Sequence, residues 1–437
     1  MTFILLLLIS LLSHEDLPLK RESIQVRQGV ILTKITLGTD ESNIYMVYVP
    51  YKRLSEARSS FSRLKKYGNA KLSKHSGLNC VVVGEFKSRE SALNLKDNLR
   101  NKGFKAKVYY SGFDPENAQG PWEIRILELD PMEVDLRIGI AKGKIIGTET
   151  TGSICQRNQA LAAINADFFK RNGDPYSAVK HKGIWYSEPD PKYESIGFYK
   201  QNGRQKVIMG KLRFEGSVLI SGIRFQIAGI NRERKKGEGK KLMYYNSFYD
   251  NYITIDDDEW GIIVSRGLIK RAITSRTKVT LDNYEILLKG VGKSPIGKSN
   301  IGFPLNVNLN AISIDGRQGL WQNCSEIASG SHVILRSGQV FVPNRFQSGF
   351  ITRRHPRSVL AVKKDGKILF VTIDGRKAGY SVGMTLKEIA RMLKKIGAVE
   401  AFNFDGGGST TLFVDGKVVN YTSDGHQRPI ATAILVF

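Results

Sequence analysis

The sequence predicts an α+β protein: a β-rich mixed α/β domain preceded by a small ferredoxin-like βαββαβ unit. Three observations lead there. Between residues 43 and 110, apolar runs of strand length alternate with two helical repeats, each closed by a glycine. From 111 to 437, short alternating runs between turn residues far outnumber the one clear helix. At 437 residues the chain is too long for one small core, so two or three domains are expected.

The elements follow in order. Residues 3–12 form an apolar run inside a segment spanning 1–13. It has the length of a signal-peptide core and is too short for a comfortable membrane helix. Export is therefore expected, to a periplasmic, cell-wall-associated or secreted location, with no stable transmembrane span. Residues 14–42 are polar with short β-like runs and read as a linker or an added strand. In the unit at 43–110, residues 45–49 read as a strand. Residues 55–67 read as a helix with Ala57, Phe61 and Leu64 on one face, stopped by Gly68. A second strand is expected at 80–84, and a second helix at 88–101 carries Ala92, Leu95 and Leu99 inward. Gly103 stops that helix, and 106–109 closes the unit as a strand.

In the domain at 111–437, β-like runs lie at 122–129, 134–140, 161–164, 206–214, 217–227, 278–288, 333–335, 359–362 and 368–373. Thr385 can cap a helix over 386–396, with Leu386, Ile389, Ala390 and Leu393 on one side and Gly397 at its end. Residues 232–241 are basic and read as an exposed loop.

Composition narrows the partners. A 41% hydrophobic and 24% charged chain folds. A net charge of +25, spread along the chain, suits anionic polymers: nucleic acid, teichoic-acid-like phosphates or acidic glycans. No zinc finger, helix-turn-helix or aromatic RNA-binding signature supports nucleic acid. The three cysteines are not spaced as metal ligands. If the protein is exported, Cys155–Cys324 is the expected pair. No phosphate-loop or dinucleotide fingerprint is present, so no organic cofactor is expected.

The segments that carry chemistry lie at strand ends. The most telling runs from Asn403 through Asp405, Gly406, Gly407, Gly408, Ser409 and Thr410 to Thr411. A strand ending in Asp and turning through three glycines gathers a carboxylate and backbone N–H groups in a small space. The others are Asn165-Ala166-Asp167, Arg354-His355-Pro356-Arg357 and Asp374-Gly375-Arg376, with Arg428 before the last strand. A hairpin across residues 364–367 would set Arg357 beside Asp374. The helix between Asp374 and Asp405 would bring those two together as a strand–helix–strand unit. Arg354, Arg357, Arg376 and His355 offer donors suited to phosphate oxygens. Glycosidic cleavage uses paired carboxylates, but phosphate is already a competent leaving group and needs charge neutralisation more than protonation. Asp405 is the first choice for nucleophile or base, Asp374 the second, with His355 donating a hydrogen bond or proton. Asn165 and Asn403 would hold sugar hydroxyls, while Arg354, Arg357 and the amides of Gly406 to Ser409 would hold phosphate. Asp167, Asp374 and Asp405 could also hold a hard divalent cation, calcium or magnesium.

Two resemblances add to this reading. Tyr45 to Val49, Cys80 to Phe86, Ser91-Ala92, Leu99 and Gly103-Phe104 resemble a SPOR domain, which implies binding to peptidoglycan glycan strands through the sheet face. The ordered set Asn165 to Phe169, Arg354 to Arg357, Asp374 to Arg376, the 386–393 helix, Asn403 to Thr410 and Arg428-Pro429-Ile430 resembles the phosphodiester glycosidase family over roughly residues 120–437. Its animal member removes N-acetylglucosamine from a sugar phosphodiester. The resemblance implies hydrolysis of a sugar-1-phosphodiester in the bacterial cell envelope, with wall teichoic acid or a capsular exopolysaccharide phosphodiester as the substrate class. Ala166-Asp167 stand where the family usually has Gly-Gly, and Ala328 to Ser331 replace a Gly-Gly-rich turn. A non-catalytic binding protein for anionic wall or capsular glycan is the alternative.

Overall fold

The computed structural model describes residues 19–75, 77–114, 119–220, 222–295, 300–342 and 349–437. The apolar run at 3–12 lies outside them. Leu19–Arg27 and Val30–Leu37 form a hairpin, so most of the stretch expected as a linker is sheet. Val30–Leu37 pairs along its length with Trp122–Leu129, Val30 opposite Leu129 and Leu37 opposite Trp122. The physical reason is apolar content: Val30, Leu32, Ile35 and Leu37 are all buried there.

The small unit is thus inserted between two neighbouring strands of a larger sheet. Its four strands lie in the order Lys71–His75, Leu78–Phe86, Tyr45–Tyr51, Lys107–Tyr110, all antiparallel. Helices Leu54–Leu64 and Arg89–Asn101 cover one face through Ala57, Leu64, Ala92 and Leu99. The first helix ends earlier than expected and passes into a 3-10 turn at Lys65–Tyr67. Gly68 follows because a side chain there would meet the Val83 carbonyl oxygen at 2.2 Å. Lys71–His75 is a strand with no apolar alternation, which is why periodicity does not reveal it.

The large sheet has eight strands, in the order Leu19–Arg27, Val30–Leu37, Trp122–Leu129, Ile368–Ile373, Arg357–Lys363, Ala398–Asn403, His332–Arg336, Gln339–Val340. Thr385 caps the helix Leu386–Lys395 reciprocally with Glu388, and Leu386, Ile389, Ala390 and Leu393 pack it on one face. The other face meets a five-stranded sheet containing Ala162–Asn165, Leu412–Val414 and Thr432–Val436. Leu127, Leu360, Phe370 and Phe402 fill the core with Ile164, Leu412 and Ile434.

A second five-stranded sheet, a seven-stranded sheet over residues 212–313 and a two-stranded sheet of Ile253–Ile255 with Thr277–Val279 complete the described part of the domain. The apolar run at 217–227 is two strands, Leu212–Ile220 and Ile223–Ile230. The run at 278–288 is likewise split between Thr277–Val279 and Glu285–Val291. In the basic loop, Arg232 is not solvated: it pairs with Glu188 and Glu238. Cys155 and Cys324 are free thiols in different apolar clusters, so the expected pair does not form. Among the described residues no helix is long and apolar enough to cross a membrane.

Candidate active site

Ile368–Ile373 and Ala398–Asn403 both run antiparallel to Arg357–Lys363, which lies between them. They are therefore parallel to each other, and the helix is their crossover connection. Asp374 and Asp405 leave the same edge of the sheet, two strand spacings or roughly 10 Å apart. The expected hairpin forms, with Arg357 opposite Ile373.

The two carboxylates differ in kind. Asp374 is fully buried. It accepts the Tyr421 amide at 3.0 and 3.1 Å, the Tyr380 hydroxyl at 3.2 Å and the Asn420 amide at 3.4 Å. It ties the segment after Val418 to the sheet. Asp405 keeps part of its surface open. Its carboxylate accepts the Gly406 amide at 2.9 Å, and its own amide donates to Ala166 O at 3.0 Å. Burial pushes both up to about 6, against the pull of those hydrogen bonds and, at Asp405, of Arg428 and Arg376.

The glycine triplet has a reason at each position. A side chain at Gly406 would meet the Pro356 carbonyl at 2.6 Å. Gly407 has φ +62° and lies under the guanidinium of Arg376, 2.7 Å from where a Cβ would stand. At Gly408 a Cβ would fall 2.0 Å from Arg428 and 2.1 Å from Asp424. Two arginines thus press on the turn that follows Asp405. Arg376 is exposed, and Arg428 is held by Asp424 through two nitrogens at 2.9 and 2.7 Å. The hydroxyls of Thr410 and Thr411 are buried with no hydrogen-bond partner among the described residues, while that of Ser409 faces the Asp405 carboxyl and pulls its pKa down against burial.

Several expected ligand-binding groups face inward instead. Arg354 pairs with Glu388, donates to Gly112 O at 2.9 Å and lies over the Trp122 ring. Arg357 is fully buried, donating to the carbonyls of Met384, Phe350 and Arg353. Neither is placed to grip phosphate, because Glu388 and a chain carbonyl hold Arg354, and Arg357 is buried against three carbonyls. Asn165 donates to Asp405 O at 2.7 Å and accepts from the Ser358 hydroxyl and the Thr411 amide. Asn403 donates to Ser331 and to Phe404 O. Asn403 thus spends both amide hydrogens inside the fold, and Asn165, fully buried, braces the backbone on either side of the turn. Asp167 bonds the Ser329 amide and the Thr432 hydroxyl, and burial raises it to about 7. Among the described residues no group of three His, Cys, Asp or Glu side chains could share an ion, so the three aspartates do not form a common cage.

The amides of Gly406, Gly407 and Ser409 are used by Asp405, Pro356 O and Gly406 O. Three of the four amides expected to hold phosphate are thus already engaged, and Arg376 and Arg428 are the cationic side chains seated on the turn. His355 has Nε2 on Gly349 O at 3.1 Å and Nδ1 facing an Arg376 nitrogen at 3.4 Å. Burial and the neighbouring arginines lower it to about 4. It is neutral near pH 7, with Nδ1 accepting from Arg376, so it orients that arginine and has no free N–H for a substrate. Sequence reasoning missed Asp424, Asn420, Tyr421 and Glu388. Two of them carry a local signal: Asp424, four residues before Arg428, and Glu388, three residues after the helix cap Thr385.

Residues 250–437 match the phosphodiester glycosidase family model, and residues 41–110 match the SPOR domain model. Over those residues the chain is similar to a phosphodiester glycosidase domain and to a SPOR domain. It is 34% identical over 83 residues to the SPbeta prophage-derived uncharacterized protein YomE of Bacillus subtilis, covering 19% of this chain and 13% of that one. It is 26% identical over 131 residues to the mouse N-acetylglucosamine-1-phosphodiester alpha-N-acetylglucosaminidase, covering 25% of each. The matched stretches thus span a quarter or less of these relatives. A solved protein from Burkholderia pseudomallei, described as exported, shares the fold over 97% of both chains with TM-score 0.75 and 18% identity. A hypothetical protein from Synechocystis covers 96% of this chain, and 79% of its own, with TM-score 0.59 and 18% identity.

Proposed function

We propose that the protein hydrolyses a sugar-1-phosphodiester of the bacterial cell envelope after export, with its SPOR domain on peptidoglycan. The single observation behind the reading is the arrangement at the glycine turn: one partly open carboxylate, Asp405, between two arginines seated on the turn's backbone. Arg376 and Arg428 would neutralise the phosphate as the bond from the anomeric carbon to the ester oxygen breaks. The electron pair leaves with the phosphate monoester, which needs no strong acid. Asp405 would act on the other face of the anomeric carbon, either as the base that takes a proton from the attacking water or as a nucleophile whose glycosyl ester a water then hydrolyses to free the sugar. Asp374 would act through structure, holding Tyr421 and Asn420 behind the turn.

The test is turnover of soluble sugar-1-phosphodiesters by wild type, Asp405→Asn and Arg376→Ala. Release of free sugar by wild type and its loss in a folded Asp405→Asn protein would support the reading. A folded wild type that binds anionic wall glycan and turns over nothing would instead make this a binding protein.

A further inference from the structure

The SPOR unit is held at both ends by one sheet edge, since Leu37 and Trp122, the residues bounding its insertion, are paired opposite each other. It is also packed against the larger domain. Tyr110 is buried in the cluster that contains Trp122 and Ile373, with Tyr45 and Phe113 against it. Arg354 donates across the boundary to Gly112 O at 2.9 Å. This is a fixed placement, unlike a bead on a flexible tether.

The face of its sheet opposite the helices carries an aromatic strip. Val47, Val49, Val81 and Val83 face the helices, so the alternating residues Tyr48 and Tyr109 and the edge residue His75 lie on the other side. The His75 ring is 5.0 Å from that of Tyr48 and 4.1 Å from that of Tyr109, and all three are partly exposed. Beyond the strip stands Arg353. It is exposed, has no ion pair among the described residues, and lies along Gly349, whose carbonyl holds His355. Its neighbour Arg354 donates to Gly112 O, three residues after Tyr109, and His355 lies two residues after Arg353. Arg353 thus stands between the strip and His355, and the rings of His75, Tyr109 and His355 all feel its charge. His355 in turn touches Arg376, which covers Gly407 beside Asp405.

We infer that the aromatic strip, Arg353 and the Asp405 turn form one continuous surface, and that the scissile sugar-1-phosphodiester is a branch on the same glycan strand that lies on the strip. The substrate class is then a junction, a neutral glycan backbone bearing a phosphate-linked sugar, and not a free sugar-phosphate polymer. Aromatic faces suit the backbone's pyranose rings, and the unpaired cation suits the phosphate where the branch departs.

This rests on the proposed hydrolase reading, so the experiment separates the two. Two substrates carry the same ester: a methyl ester of N-acetylglucosamine-1-phosphate, and that sugar phosphate esterified to a peptidoglycan-derived glycan strand. The expected result is kcat/KM about tenfold or more higher on the strand-borne ester. Tyr48→Ala and Tyr109→Ala, checked by circular dichroism and melting, should lose that preference through KM while cleaving the methyl ester within about twofold of wild type. Equal kcat/KM on both substrates, or equal losses on both in the variants, would overturn the inference and leave the hydrolase reading standing. Cleavage of neither by a folded wild type would overturn both.

Discussion

Asn165 donates its side-chain amide to the backbone carbonyl of Asp405 at 2.7 Å, across 240 residues of chain. The same side chain accepts from Ser358 at 2.6 Å and from the Thr411 amide at 3.0 Å. One buried amide therefore joins the two facing sheets and sets the start and end of the glycine turn. Asn165→Ala should cost about 2–4 kcal/mol, since it leaves buried polar groups unpaired in both sheets. Chemical denaturation would measure it; a loss under about 0.5 kcal/mol would show that Asn165 does not brace the turn.

Activity should follow the ionisation of Asp405. Burial raises that carboxyl to about 6, and a nucleophile or base must be ionised. The rate should climb as pH rises through about 6 and level off above 7. A pH–rate profile with its acid limb near 4 would place the working carboxylate elsewhere.

The arginines should divide into two groups. Arg357→Ala empties a site where a buried guanidinium serves three carbonyls, so it should destabilise by about 3–5 kcal/mol. Arg376→Ala removes an exposed side chain and should change the melting temperature little while lowering kcat/KM by about a hundredfold or more. Melting curves and kinetics on both proteins decide it, and the reverse pattern would reassign the two.

Gly408→Ala should damage the site more than the fold. The new methyl would stand 2.0 Å from Arg428 and 2.1 Å from Asp424, and displacing that surface pair costs little stability. A drop of tenfold or more in kcat/KM with a shift of a few degrees in Tm is expected. Wild-type kinetics in Gly408→Ala would remove Arg428 from the site.

Asp167 offers a stability test with a definite sign. Burial raises its folded pKa to about 7, above the ordinary carboxylate value, so the folded state binds its proton more tightly than the unfolded chain. Its contribution to stability is thus lost as pH rises from about 4 toward 7. Asparagine can accept from Ser329 and donate to Thr432 without a charge. Asp167→Asn should reduce the fall in Tm between pH 5 and 8 by a few degrees; an unchanged slope would show that Asp167 does not titrate in that window.

Local pattern determined a good deal. Alternation and glycine stops placed the helices at 54–64, 89–101 and 386–395 to within a few residues, because each has an amphipathic face of its own. Three consecutive glycines after an Asp marked the turn, since backbone so free is rarely kept without a close approach to serve. The tertiary structure alone decided which charges meet there. Arg354, Arg357 and Arg376 lie within 23 positions of one another and look alike in sequence. The first two are consumed by Glu388 and by chain carbonyls, and Arg376 stands over Gly407. Asp424 and Arg428, 16 and 20 residues after Gly408, fold back onto the same turn. Side-chain direction depends on strand register and on which sheet covers each face, and these are set by pairings hundreds of residues apart, beyond the reach of any local window.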